Sequence, residues 1–149
     1  MSFFVNASQE EAFRLVMDYF NGRRMEIQSS NSPSYIRAKF GSLLTLETSG
    51  NAKGEAKTNI MKRNGGSYVN LDLDFFEYYL TSFVATAIFA VIAVIIYQML
   101  ELPFWLSLII LPTMALVALV GAGYSVSNTR KRITQEFNMF IQSLASKKD

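Results

Sequence analysis

Two apolar runs limit what this chain can fold into: Leu80–Leu100 (LTSFVATAIFAVIAVIIYQML) and Phe104–Val126 (FWLSLIILPTMALVALVGAGYSV), separated by Glu101-Leu102-Pro103. Each has about the 20 residues that a helix needs to cross a hydrocarbon layer of ~30 Å, and neither carries a charged side chain. Core helices of a soluble protein are also apolar all round. A chain of 149 residues, however, is too short to wrap two of them on every side. The runs therefore read as a transmembrane hairpin, with helices over 80–100 and 104–126 and a turn at 101–103. Pro103 suits the first turn of the second helix and turns Leu102 away from helical geometry. Pro112, inside the second span, removes one backbone hydrogen bond and favours a bend there.

The basic residues set the expected orientation. The turn holds Glu101 and no Lys or Arg, whereas Arg130, Lys131 and Arg132 follow the second span and nine basic side chains precede the first. The positive-inside rule then places both termini in the cytoplasm and the turn outside, a multi-pass arrangement in the cell membrane. Tyr97, Phe104 and Trp105 fall at the outer interface, and Phe75, Phe76, Tyr78, Tyr79 and Tyr124 at the inner one. Arg130, Lys131, Arg132, Trp105 and Tyr97 are the expected membrane-surface residues. The start of the chain lacks a basic stretch followed by a long apolar one, so a cleavable signal peptide is not expected.

Small side chains recur at helical spacing on both spans: Ser82, Thr86, Ala90 and Ala93 on the first, Ala115, Ala118, Ala122 and Ser125 on the second. Stripes of this kind let helix backbones approach closely in lipid. They serve either to pack the hairpin or to dock it on a larger membrane complex.

Before the hairpin the periodicity changes. Residues 2–6 read as a strand, and Ser8-Gln9-Glu10-Glu11 is a capping box that starts a helix at about Gln9. Ala12, Phe13, Val16, Met17 and Phe20 share its buried face, and Asn21-Gly22 supplies a left-handed stop. Period-two alternation follows. A strand at 23–30 ends at Asn31-Ser32-Pro33. From Tyr35, the inward residues Ile36, Ala38, Phe40, Leu44 and Leu46 alternate with Arg37, Lys39, Thr45 and Glu47, with Gly41 marking a bend. After a turn at 49–54 come a polar strand at 55–63, a hairpin signal at Asn64-Gly65-Gly66 and a strand at 67–76. In that last strand Val69, Leu71, Leu73 and Phe75 face inward. Beyond the spans, 128–149 contains an amphipathic helix with Ile133, Phe137, Phe140, Ile141 and Leu144 on one stripe. Its three leading basic residues oppose a helix dipole, which points either to lipid headgroups or to a helix continuous with the second span. The stripe packs on the membrane or on the sheet.

The expected fold class is α+β. A small antiparallel sheet with an N-terminal strand and helix and a C-terminal amphipathic helix (β-α-β4-α) is interrupted by the hairpin, with residues 1–78 as the cytoplasmic domain. With Phe3-Phe4-Val5-Asn6-Ala7-Ser8-Gln9-Glu10-Glu11-Ala12-Phe13 as opening strand and capped helix, the soluble parts (1–76 and 128–145) resemble the TBP-like and helix-grip (START or Bet v 1-like) class. The chain is short for a full-sized cavity of that class and carries a hairpin where its last loop would be. Members differ in function, so the resemblance implies a fold and assigns no activity.

Cysteine and histidine are both absent, which removes thiolate chemistry, disulfides and the imidazole ligand or base. The one carboxylate pair of chemical interest is Asp72 and Asp74, two residues apart on one strand face, a spacing that fits a shared proton or a cation; a solvated outer face is the simpler reading. Arg37, Lys39, Lys57 and Arg63 make a basic sheet face near Tyr35, a pattern that more often protects a sheet from aggregation than stacks bases. No enzyme activity, cofactor, metal or nucleic-acid partner is expected. The expected function is that of a membrane-anchored, non-catalytic module, an accessory subunit or interaction domain working with the bilayer and with other membrane subunits or itself. The alternative is a lipid or apolar-ligand binder with a groove between sheet and last helix, near Phe40, Tyr68 and Phe75.

Overall fold

In the computed structural model, residues 1–41, 52–101 and 103–145 are described. Leu44, Leu46 and the rest of the strand expected past Gly41 lie outside them, as do turn residues 49–51, Leu102 and the side chains of Phe104, Trp105 and Leu144.

The chain runs β1 (Ser2–Val5), α1 (Gln9–Gly22), β2 (Glu26–Asn31), β3 (Tyr35–Phe40), β4 (Gly54–Arg63), β5 (Gly66–Asp74), α2 (Phe76–Met99) and α3 (Phe104–Ala145). The strands form one antiparallel sheet in the order β1-β5-β4-β3-β2. This is the α+β architecture that the alternation and the capping box lead one to expect. Because β1 and β2 occupy opposite edges, α1 must cross the whole sheet. Its 14 residues span about 21 Å, close to the ~19 Å covered by four inter-strand spacings. One helix of this length therefore covers one face.

Ser8 caps α1 through its hydroxyl, which accepts from the Glu11 amide at 3.2 Å. The helix does not stop at Asn21-Gly22. It runs through Gly22, and the left-handed residue is Arg24 at φ 54°. Amides of Arg24 and Met25 donate to the carbonyls of Asn21 and Phe20 at 2.9 Å, the bond pair of a Schellman turn. Closing those two bonds and tucking Met25 against the core holds Arg24 in a conformation that glycine would adopt without strain. For the same reason the next strand begins at Glu26 and not at Arg23.

The covered face carries Val5, Ile36, Ala38, Phe40, Ala56, Ile60, Val69, Leu71 and Leu73, all buried. Ala12, Val16, Tyr19 and Phe20 reach it from α1. Tyr19 belongs to this face although the sequence pattern did not single it out. Phe75 is buried as expected, but it stands at the N-cap of α2, since β5 ends at Asp74.

At the end of the chain the structure takes one of the two readings that the sequence left open. Residues 104–126 and 128–145 form one continuous 42-residue helix about 63 Å long. Three basic residues at 130–132 thus sit mid-helix, with no helix N-terminus to oppose them. Val126, Ile133, Phe137 and Ile141 complete the sheet's core. Phe137 is 0% exposed, its ring 5.1 Å from that of Phe3 and 5.0 Å from that of Tyr19. Ile133, Phe137, Phe140 and Ile141 of the amphipathic stripe therefore pack on the sheet and α1.

Helix α2 and the first half of α3 pack on each other, and both are long and apolar enough to cross a membrane. No residue of α2 is buried, and Phe83, Phe89, Leu116 and Val117 are each more than 60% exposed. Glu101, at φ 51°, ends α2 in a left-handed conformation just before Pro103.

Candidate functional site

The region where the sheet meets the two apolar helices concentrates the polar structure of this chain. On the outer sheet face, alternation aims Arg37, Lys39, Glu55, Lys57 and Asp74 away from the core, and register brings them together across β3, β4 and β5. The Arg37 guanidinium binds Glu55 through Nη2 at 2.6 Å and Nε at 2.9 Å. Lys39 Nζ lies 3.7 Å from Glu55 and 3.1 Å from Glu77, and Lys53 Nζ lies 3.2 Å from the other Glu77 oxygen. Two lysines from the sheet side thus grip the first turn of α2 by one carboxylate. Lys57 Nζ reaches Asp74 Oδ2 at 2.7 Å, and Asp74 Oδ1 accepts from the Phe76 amide at 3.0 Å, so Asp74 also satisfies the first amide of α2 from just before its N-cap residue Phe75.

The electrostatics follow from these contacts. The Lys57 hydrogen bond, followed by that of the Phe76 amide, holds the Asp74 carboxyl below its ordinary value. Asp74 in turn raises Lys57, Glu77 raises Lys39 and Glu55 raises Arg37. With both oxygens engaged and the ionised form favoured, Asp74 is unsuited to share a proton with Asp72. Arg37, Lys39 and Lys57 are likewise committed to carboxylates, and Arg63 stacks on Tyr68 at 5.3 Å. Among the described residues no three His, Cys, Asp or Glu side chains converge for a metal ion.

On the other face α3 is pinned to the domain at three levels. Thr129, buried, accepts from the Ala52 amide at 2.8 Å. Arg130 lies over the Phe75 ring at 5.6 Å, and Glu136 pairs with Arg23 at 3.3 Å. Lys131 and Arg132 are exposed. Thr129, Glu77 and Lys53 were not marked by any sequence motif, because their partners lie far away in the chain.

Of the eight small residues, Ala122 is buried, while Ser82, Thr86, Ala90, Ala93, Ala115, Ala118 and Ser125 are half-buried. Six of them line a groove of about 300 Å³ between α2 and α3, walled by larger residues including Phe83 and Met114. Tyr97 is half-buried near the far end of α2. Next to this groove, at the sheet end, opens a cleft of about 570 Å³ bounded by Asp72, Phe76, Tyr79, Ser127 and Arg130. By contrast, Tyr19, Phe20 and Phe137 pack in the core between the sheet and its two covering helices, Phe40 and Phe75 pack ring to ring at 5.7 Å with Phe40 also lining a cleft of about 310 Å³ against α3, and Tyr68 lies on the opposite face beside Phe4. The three aromatic residues proposed for a ligand groove do not meet in one.

Neither protein-family models nor curated protein sequences return a match for this chain.

Proposed function

We propose that this chain is a membrane-anchored, non-catalytic module that holds a small α+β domain at a fixed height and orientation on the cytoplasmic face, as an accessory subunit or interaction domain of a membrane complex. The observation that carries this reading is the single α3 helix, whose first half is apolar and uncovered and whose second half is part of the domain core. Water-soluble monomers rarely leave contiguous apolar patches beyond a few hundred Å² uncovered, and α2 is a 24-residue apolar helix with no buried residue. Lipid is the cover proposed.

On this reading both helices cross the bilayer, Glu101 faces outside and both termini lie in the cytoplasm. A helix that passes from lipid into the core without a break, together with Glu77 and Asp74 at the start of α2, allows little swivel between anchor and domain. That stiffness suits positioning. The surface offered to a partner is the sheet face turned from the core, where Phe4 is 48% and Met61 60% exposed beside Tyr68.

Single cysteines provide the test, because the chain has none of its own. Glu101→Cys should react with an impermeant maleimide only from outside, and Asn64→Cys only after the cytoplasmic side is opened. Labelling of both from one side would refute the topology. Native mass spectrometry of the tagged chain in mild detergent should reveal it with further membrane subunits or copies of itself; a chain that is always solitary would refute the accessory role.

A further inference from the structure

We infer that the junction cleft and the groove between α2 and α3 form one site for a single phospholipid of the cytoplasmic leaflet, with a headgroup that joins a phosphate to an ammonium. The inference rests on the proposal that α2 and α3 cross the bilayer.

The two spaces adjoin each other. Tyr79 lines both, and Ala122 of the groove adjoins Gly123 of the cleft. Their volumes, about 300 and 570 Å³, fall in the ~300–1,000 Å³ range of small-molecule sites. From Tyr79 to Ala90 the groove follows α2 for about 16 Å. Half of a ~30 Å hydrocarbon layer is nearly the same depth. The groove is thus one leaflet deep, and its walls are apolar apart from the hydroxyls of Ser82, Thr86 and Tyr79. Thr86 already donates its hydroxyl proton to the Ser82 carbonyl at 2.8 Å, which leaves the wall suited to an acyl chain.

The cleft above it differs in chemistry. Arg130 supplies a fixed cation with fork geometry suited to a phosphate, and Ser127, three residues earlier on α3, adds a hydroxyl. Opposite them, Asp72 is exposed on β5. Asp74 is already neutralised by Lys57 and the Phe76 amide. The mouth therefore presents one cation and one uncommitted carboxylate, the complement of a zwitterion. An anionic headgroup without an ammonium could place its phosphate on Arg130 but would leave the Asp72 carboxylate without a cationic partner from the lipid. Lys131 and Arg132 do not change this balance, since successive residues of a helix project about 100° apart.

The experiment uses the delipidated full chain in mild detergent, titrated with phosphatidylethanolamine, phosphatidylglycerol or diacylglycerol and read by native mass spectrometry. One phosphatidylethanolamine should bind, at least about tenfold more tightly than phosphatidylglycerol, a gap of ~1.4 kcal/mol. Diacylglycerol should bind least. Asp72→Asn should abolish the discrimination between the two phospholipids while keeping binding, and Arg130→Gln should weaken both. Ala87→Leu, at an exposed groove position, should displace the acyl chain with the helical circular dichroism unchanged. Variable lipid numbers that no variant alters, or equal binding of both phospholipids to the wild type, would overturn the site. Alkaline washing of chain-bearing vesicles separates the two levels: a chain that stays with the vesicles but holds no stoichiometric lipid refutes this site alone, whereas a chain that washes off refutes the bilayer crossing beneath it.

Discussion

Replacing Phe137 with alanine probes the joint between anchor and domain most directly. Its ring is wholly buried and edge-on to both Phe3 of β1 and Tyr19 of α1. Removing a buried phenyl group costs about 3–5 kcal/mol, made up of lost transfer energy and the cavity left behind. The two edge-to-face contacts, each worth about 0.5–1.5 kcal/mol beyond area, place this site toward the upper end. Small domains have net stabilities of about 5–15 kcal/mol, so Phe137→Ala should remove a third or more of the margin. Two residues on, Met139 is 60% exposed, and Met139→Ala should change stability by under about 0.5 kcal/mol. Hydrogen exchange of the detergent-solubilised chain separates the outcomes. Protection should fall by at least about a hundredfold in β1, α1 and β5 for Phe137→Ala, while amides of α2 stay protected. If the two variants behave alike, the second half of α3 lies on the bilayer or in solvent, and the argument for a rigidly held domain fails.

Arg24→Gly should stabilise the chain by about 1 kcal/mol, since only the left-handed backbone is at stake there, with thermal unfolding in detergent as the measure. Gly54→Ala should destabilise by about 1–3 kcal/mol, because a Cβ would sit 2.6 Å from the Asp74 carbonyl oxygen and 2.8 Å from the Phe40 ring; an unchanged transition would contradict the close β4–β5 approach. The Lys57–Asp74 pair predicts two pH limits. Asp74 has a lowered folded pKa, so its contribution is complete above the unfolded value near ~3.9 and disappears as pH falls through the folded one. Lys57 has a raised folded pKa, so its share is complete below ~10.4 and is lost as pH climbs through the higher folded value. Both side chains are about a third exposed, which keeps the effect under about 1 kcal/mol, and Asp74→Asn should flatten the acid limb of a denaturation–pH profile. Glu77→Gln, which leaves Lys39 and Lys53 without their shared carboxylate, should speed exchange at the first turn of α2 without altering the core.

Sequence alone determined the elements whose signals are local. The uncharged length of 80–100 and 104–126, the alternation of Ile36, Ala38 and Phe40 with Arg37 and Lys39, and the Ser8 cap each depend on residues within a turn or two of one another. Periodicity also put Ile133, Phe137 and Ile141 on one stripe. It could not say what the stripe would meet, because bilayer and sheet both accept an apolar face. Tertiary structure made that choice, by running α3 unbroken from Phe104 to Ala145 and setting Phe137 between β1 and α1. It also decided the ionic pairs: Lys39 meets Glu77, 38 positions away, only because strand register and the exit of α2 bring them together. The groove beside the small residues has the same origin, since a stripe of Ala and Ser permits close approach but the path of α3 into the domain sets the distance at which the two helices come to rest.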